Sequence, residues 1–438
     1  MKHAVALVLS LLMLLGAACA EPITLLISGN YLPMEKEFNA FRKAHPNIKI
    51  ERAGVETTEQ LIQDALLRDD VTDVYFLNPV RNRVYNGLRD RGFLAPIEDA
   101  ELLSLAESLY PGIRRGLEHN NQICAIPYDS MVQPMVSVNM DDWTSLGFSE
   151  ADLPKSWAEF LQFLLDEWPA LAEEHPEISC LNLPDAADWV MILVQGRYFY
   201  AQQSREELRY DTDCFREIVR LIGQIDWSIC YNVNGNPLFD LNYIASASTR
   251  DYYGSYRYLP LAFEENDPIY VPISTPVIAI NPNSRHKEAA YELIRYFVDR
   301  LEPMRKVELY ENWSEPIPSP DFESFMEMAT EYLAELDHKI AADEDPAQTK
   351  LLVNDRDSYA QYVQNYAETR QYDANAESIA AFRETIARNY VFAYGLTISN
   401  EEYEIVENKR RQFLQGDIDA DAYVDEIQRR YALELREG

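Results

Sequence analysis

The chain has 438 residues, of which 39 are basic and 73 acidic, giving a formal charge of −34. Such a surface repels nucleic acid and anionic membrane faces, so neither is expected as a partner. The length exceeds one ordinary domain of ~100–200 residues, and a hydrophobic share of 47% supplies cores for two lobes.

Met1-Lys2-His3 begins the chain with positive charge, and Ala4–Leu15 follows as an apolar run. Ala18-Cys19-Ala20 then places small residues ahead of Glu21. This order predicts a secretory signal peptide over residues 1–20, because the apolar run is shorter than the ~20 residues a spanning helix needs. Cleavage after Ala20 is expected; lipid attachment at Cys19 after Gly16-Ala17-Ala18 is the alternative. Either route puts the protein outside the cytoplasm, secreted or attached to the outer face of the cell membrane.

Ile23–Ile27 reads as a buried strand, apolar throughout as parallel strands tend to be. Glu35–His45 has helical spacing, with Phe38, Phe41 and Ala44 on one side, and Pro46-Asn47 stops it. Ile48–Glu51 is a second strand, Glu59–Arg68 a second helix, and Val74–Leu77 a third strand ended by Asn78-Pro79. Strand and helix alternating in this way predict a doubly wound α/β lobe. Such lobes bind ligands beyond the carboxyl ends of their strands, which here means Asn30, Tyr31 and Asn78.

Gly92–Ile97 reads as an edge-like turn, and Ile123–Tyr128 and Val136–Asn139 as short strands on either side of Asp129–Pro134. Ser156 is positioned to cap a helix, with Glu159 as its capping-box partner and Phe160, Phe163 and Leu164 on the apolar face. Val277–Asn281 is a strand, and Lys287–Leu301 a helix displaying Ala290, Leu293, Ile294 and Phe297. From Phe322 onward the chain is predicted to be mostly helical, with a break near Asp343–Pro346.

Four cysteines follow the signal peptide: Cys124, Cys180, Cys214 and Cys230. None has CxxC spacing, so no zinc or thioredoxin-like site is expected. One disulfide among Cys180, Cys214 and Cys230 and a set of buried thiols are both compatible with the sequence.

Several segments, in this order, resemble the family 1 extracellular solute-binding proteins, the capture subunits of ABC importers that include the maltose-binding type. ITLLISGNYLPMEKEFNAFRKAHPNIKIE resembles that family's opening strand, first ligand loop, helix and second strand. ALLRDDVTDVYFLNP, RGFLAPIED, AIPYDSMVQPMVSVNMDDWTSLGF and DLPKSWAEFLQFL are similar to later pieces. VPISTPVIAINPNSRHKEAAYELIRYFV is similar to its return strand and helix. The resemblance runs from Ile23 to Val298. It departs from many sugar binders in STPVIAIN, which carries no glycine where they have a glycine-rich return.

The resemblance implies an α/β, class II periplasmic-binding-protein-like architecture. Two doubly wound lobes are joined by crossing strands, with a helical C-terminal region. It divides the chain into 21–130 plus 276–312 for lobe 1 and 131–275 plus 313–438 for lobe 2. A ligand gripped by both lobes would drive their closure, micromolar binding supplying ~8 kcal/mol. The implied partners are a small solute, carbohydrate first, and the permease subunits of an importer; the protein itself is expected to be monomeric. A peptide, an amino acid derivative or a polyamine is the other ligand class compatible with the acidic surface.

The candidate ligand contacts are Asn30, Tyr31, Asn78, Tyr128, Asp129, Trp189, Tyr252, Tyr253 and Thr275. An amide at Asn78 both donates and accepts, and Asp129 suits two hydroxyls or a cation. Tyrosines offer an apolar face with a polar tip, although 28 of them in the chain make a cluster such as Tyr252-Tyr253 weak evidence alone. Each candidate also has a plain structural role: turns at Asn30 and Asn78, chain crossing at Tyr128 and Asp129, core packing at Trp189. Catalytic residues, metal ligands and cofactors are not expected. No HExxH, GxSxG or GxxxxGK[ST] pattern occurs. A secreted hydrolase acting on polysaccharide or peptide, or a non-transport receptor on the same fold, is the competing reading.

Overall fold

In a computed structural model, the chain is described over residues 22–53, 58–67, 71–80, 84–203, 209–264, 266–343, 345–393 and 400–437. The signal peptide and Cys19 lie outside the described residues. The strands and helices used below run in chain order as β1 (Ile23–Gly29), α1 (Glu35–Ala44), β2 (Ile48–Arg52), α2 (Thr58–Leu67), β3 (Val74–Leu77), β4 (Ile126–Pro127), β5 (Met131–Val132) and β6 (Met135–Asn139). Then come α3 (Trp157–Gln162), β7 (Ile178–Leu181), α4 (Ala186–Gln203), α5 (Asp213–Gln224), β8 (Asn236–Tyr243), α6 (Thr249–Tyr252), β9 (Tyr256–Tyr258) and β10 (Val271–Ser274). The remainder is β11 (Val277–Ile280), α7 (Lys287–Asp299), α8 (Phe322–Ala342), α9 (Pro346–Thr369), β12 (Tyr390–Phe392), α10 (Asn400–Leu414) and α11 (Ala420–Glu437).

The chain divides into two units. Unit 1 holds the residues up to Met131, Ile273–Leu301 and the segment starting at Phe392; unit 2 holds Val132–Pro272, Glu302–Val391 and the C-terminal helices. The helix Pro303–Leu309 therefore belongs to unit 2, whereas the sequence reading divided the chain at 130, 275 and 312.

Unit 1 is built on a five-stranded sheet of order β2-β1-β3-β11-β4. β1 lies parallel to β2 and β3, while β11 runs antiparallel to β3, Ile278 facing Phe76, and antiparallel to β4. All four residues of β3 and of β11 are buried, as expected of strands covered on both faces. Helix α1 starts where the Glu37 carboxylate accepts the Met34 N–H at 2.7 Å, and it turns Phe38 and Phe41 inward. Phe38, Phe76 and Phe297 meet edge to face with centroids 5.5–5.9 Å apart, the arrangement ring quadrupoles favour. The buried Asp73 ties this core together. Its carboxylate accepts from the Leu26 N–H at 2.9 Å and from the Ser284 hydroxyl at 2.6 Å.

Unit 2 carries a four-stranded sheet of order β9-β6-β8-β7. β6 is antiparallel to both β8 and β9, and β7 is parallel to β8. Trp143, Phe148, Phe160, Phe163 and Phe239 form one aromatic core; Tyr198, Tyr210, Phe215 and Tyr431 form another under the C-terminal helices. Helix α5 has a sharply divided surface, burying Phe215, Ile218, Val219, Leu221 and Ile222. The long helices α8 and α9 meet along a seam of rings, with Phe325 against Tyr366 at 3.9 Å and Tyr332 against Tyr359 at 4.8 Å. A three-stranded sheet of order β12-β10-β5 is made from the strands at which the chain passes between units.

Two local expectations change. The segment Ile123–Tyr128 is not one strand: Gln122–Ile123 pairs with Glu118–His119, and Ile126–Pro127 pairs with β11. The run changes partner between Ile123 and Ile126, and Pro127, which offers no N–H, ends the second pairing. At the start of α3, the Ser156 hydroxyl does accept from the Glu159 N–H at 3.1 Å. The return bond from Glu159, however, goes to the Lys155 N–H at 2.7 Å, and the Trp157 N–H donates to the Ala262 carbonyl.

No disulfide joins the four cysteines. Cys124, Cys180 and Cys230 are buried, and Cys214 is partly exposed. Burial pushes the Cys124 thiol up to about 11, and burial together with the neighbouring Cys230 thiol pushes the Cys180 thiol well above its ordinary value. A raised thiol pKa leaves the neutral, unreactive form dominant at pH 8. Iodoacetamide at pH 8 is expected to label Cys214 first and the other three only after denaturation, read by peptide mass spectrometry. Equal labelling of Cys124 in the native protein would contradict this packing.

Candidate functional site

In unit 1 the structure brings six of the nine sequence candidates to one rim. β1 and β3 end side by side, and their closeness depends on Gly29. Its φ is 141°, and a Cβ there would lie 1.9 Å from the Phe76 carbonyl oxygen. Only glycine tolerates that combination of backbone angle and approach.

Beyond this point the two strand ends are linked reciprocally. The Asn78 N–H donates to Asn30 Oδ1 at 2.7 Å, and Asn30 Nδ2 donates to the Asn78 carbonyl at 3.2 Å. Asn30 is thus held by its side chain rather than left in a loose turn. Asn78 is buried; its Oδ1 accepts from the Val80 N–H at 3.0 Å and from the Ser274 hydroxyl at 3.3 Å. With Oδ1 so occupied, the Nδ2 amino group is the end of this amide that has no partner among the described residues.

Tyr31 and Tyr128 lie on the same rim with ring centroids 6.4 Å apart and planes tilted by 40°. The Tyr128 hydroxyl donates to the Tyr31 carbonyl at 2.7 Å, so its polar tip braces the loop. The other side of the Tyr128 ring meets Phe76 edge-on at 5.6 Å, which anchors it on the aromatic core. Asp129 is half-buried, and its Oδ1 accepts the Ser130 N–H at 2.8 Å. Thr275 is fully buried with a hydroxyl that has no partner among the described residues, so it supports the rim from below rather than from its surface.

The three remaining candidates belong to unit 2. Trp189 sits in the first turn of α4 and is 37% exposed, so core packing is not its role. Its neighbour Asp188 is committed to an ion pair with the buried Arg410 at 2.7 Å. Tyr252 and Tyr253 are both exposed, their rings 4.9 Å apart at 75°. Short helix α6 places them, capped by the Ser248 hydroxyl on the Asp251 N–H at 3.1 Å and tied down by the Thr249 hydroxyl on the Tyr372 carbonyl at 2.7 Å. Tyr253 also accepts from Asn375 Nδ2 at 3.3 Å. No ring contact or hydrogen bond joins Trp189 to this pair among the described residues.

The sequence offers Ser274, beside Thr275 at the second crossing, as a weaker candidate, and in the structure its hydroxyl holds Asn78. Sequence reasoning missed Arg197, although it carries a signal: it is the single charge in the apolar stretch Val190–Ala201 of α4. It lines a small cavity inside unit 2 with Trp157, Tyr258, Phe263 and Tyr270. Among the described residues, no group of three or more His, Cys, Asp or Glu side chains is placed to hold a metal, and no helix is long and apolar enough to cross a membrane.

Comparison with known proteins yields no matching family model and no matching curated sequence. Solved structures do match along nearly the whole chain. The apo form of RafE from Streptococcus pneumoniae is 13% identical over 95% of this chain and 99% of its own, with a TM-score of 0.54. The GacH receptor of Streptomyces glaucescens, solved unliganded and with acarbose, is 12% identical over 94% and 98%, with a TM-score of 0.51. The cyclic alpha-maltosyl-1,6-maltose binding protein from Arthrobacter globiformis is 11% identical over 95% and 100%, with a TM-score of 0.50. The chain has the fold of the sugar-binding solute-binding proteins. In this solute-binding-protein fold the unit 1 rim lies where the strand-end rule places ligands: after β1, after β3 and beside the β4–β11 pair.

Substitution of Gly29 by alanine is expected to destabilise the protein by at least ~2 kcal/mol, through strain at positive φ and the clash with Phe76. Asn30→Ala leaves the Asn78 N–H without its acceptor and is expected to cost about 1–3 kcal/mol. Urea unfolding followed by circular dichroism measures both. A neutral Gly29→Ala variant would refute the close approach.

Proposed function

We propose that this protein is an extracytoplasmic solute-binding protein of an ABC importer, and that it captures a carbohydrate without altering it. The observation that carries this reading is whole-length similarity in fold to proteins such as the maltosyl-maltose binding protein and the acarbose-binding GacH receptor. The unit 1 rim supports it chemically. The unpartnered amino group of Asn78 donates, the Asp129 carboxylate accepts, and the Tyr31 and Tyr128 rings offer apolar faces. Hydroxyl-rich ligands with apolar ring faces need this mixture of donors, acceptors and rings.

Trp189, Tyr252 and Tyr253 are proposed as further contacts from unit 2. Their exposed rings have the rigidity that makes aromatic contacts inexpensive in conformational entropy. Delivery to permease subunits, the monomeric state and attachment or secretion through residues 1–20 belong to the same proposal.

A thermal-shift panel of oligosaccharides, peptides and polyamines tests it. A ligand at a hundred times its Kd is expected to stabilise the protein by ~2.7 kcal/mol, a clear rise in Tm. Oligosaccharides are expected to give that rise, with no product detectable by chromatography. Stabilisation by peptides alone would refute the ligand class, and product formation would favour the hydrolase. Asn78→Ala and Tyr31→Ala, assayed by calorimetry with the best ligand, are each expected to weaken binding about tenfold, equivalent to ~1.4 kcal/mol.

A further inference from the structure

Arg197 is at odds with its surroundings. It stands on α4 in unit 2, half-buried, and its guanidinium donates to the Pro134 carbonyl. That is its one hydrogen bond, and it forms no ion pair among the described residues. Several other arginines of unit 2 are matched with acids, although the half-buried Arg370 also keeps a buried Nη1 with no partner among the described residues. Arg410 pairs with Asp188, Arg430 with Glu402 and Glu426, and Arg216 with Asp421 and Asp425. A chain with 73 acidic residues has abundant means to neutralise Arg197 and does not.

The cost of this arrangement falls on the charge. Burial pushes the Arg197 pKa down, and the groups that pull it back are the hydroxyls of Tyr258 and Tyr200 rather than a carboxylate. A guanidinium half withdrawn from water and left without an anion is expensive, because desolvation is not repaid. It carries five donors in a planar fork that matches a carboxylate in two parallel bonds.

The cavity beside it sets the size of what can enter. Its volume is about 20 Å³, and Arg197, Trp157, Tyr258, Phe263 and Tyr270 line it together with aliphatic side chains. That is somewhat more than the ~10–15 Å³ one water requires, and far too little for a sugar ring. A carboxylate head of three heavy atoms suits it, with the rest of the ligand outside. The Tyr258 hydroxyl, held protonated by burial up to about 12, is available as a second donor.

We infer that the unit 2 cavity at Arg197 is a subsite for a carboxylate group, and that the solute is an acidic sugar such as a uronate or an oligosaccharide bearing one. This inference rests on the carbohydrate reading above and narrows it. The net negative charge of the protein opposes an anionic ligand at long range, so recognition falls to this short-range contact.

Isothermal titration with galacturonate, glucuronate and trigalacturonate, set against galactose, glucose and maltotriose, tests it. At least one uronate is expected to bind ten or more times more tightly than its neutral counterpart. Arg197→Met is expected to collapse that ratio to about one. Arg197→Lys, which keeps the charge but not the fork, is expected to retain part of it, and it provides the readout should Arg197→Met fail to fold. Neutral sugars binding as tightly as their acids, or an Arg197→Met or Arg197→Lys variant with an undiminished ratio, would overturn the inference and leave the carbohydrate reading standing. Binding of inorganic phosphate in place of every uronate would overturn the carboxylate assignment. Failure of acidic and neutral sugars alike would overturn both.

Discussion

The close approach of β1 and β3 at Gly29 and Phe76 governs the geometry of the unit 1 rim. Two strands whose ends were held a few ångströms further apart could not exchange the pair of hydrogen bonds between Asn30 and Asn78. Without those bonds Asn78 would not be oriented with its oxygen inward on Ser274 and Val80, and its amino group would not be the end left available. The aromatic core continues the same logic. Phe76 sits under Tyr128, and Tyr128 braces the Tyr31 backbone, so the rim is an extension of the packed interior rather than a loop laid over it.

Much of this architecture was legible in the order of residues. The β1–α1–β2–α2–β3 run was readable within a residue or two at each end, because β1 and β3 are largely apolar stretches, β2 alternates apolar with charged residues, and the helices have a clear 3.6-residue period. The candidates Asn30, Tyr31 and Asn78 came from the strand-end rule, Tyr128 and Asp129 from their place at the first chain crossing, and the structure gathers all five. Elements made of two or three residues were not legible. β4, β5 and β12 are too short for a periodic signal and exist because distant partners supply their hydrogen bonds. The exposure of Trp189 was hidden for a related reason. It sits at the head of an apolar run, and sequence alone gave no sign that Asp188 would be pinned by Arg410 and fix which way that turn faces.

Charge is distributed to a pattern that the overall count conceals. The C-terminal helices α10 and α11 are fastened to each other and to α5 by arginines set among carboxylates, Arg430 between Glu402 and Glu426 and Arg216 between Asp421 and Asp425. Such exposed and half-exposed pairs contribute little individually; as a network they fix which helix faces meet. Sequence proximity predicts the i,i+4 pair Glu426–Arg430 but not the bonds reaching across the fold.

The position of β11 in the unit 1 sheet has a consequence for how the chain is made. β11 lies between β3 and β4, yet ribosomes release it only after residues 132–272 have emerged. Until then β3 has an unpaired flank of backbone amides and carbonyls, and the apolar side chains destined to cover it wait in solvent. The first unit to be started is therefore not the first that can be finished. A nascent chain halted before Val277 would hold an open edge prone to pairing with another copy, and late closure of this kind, with its long loop to be drawn in, slows folding.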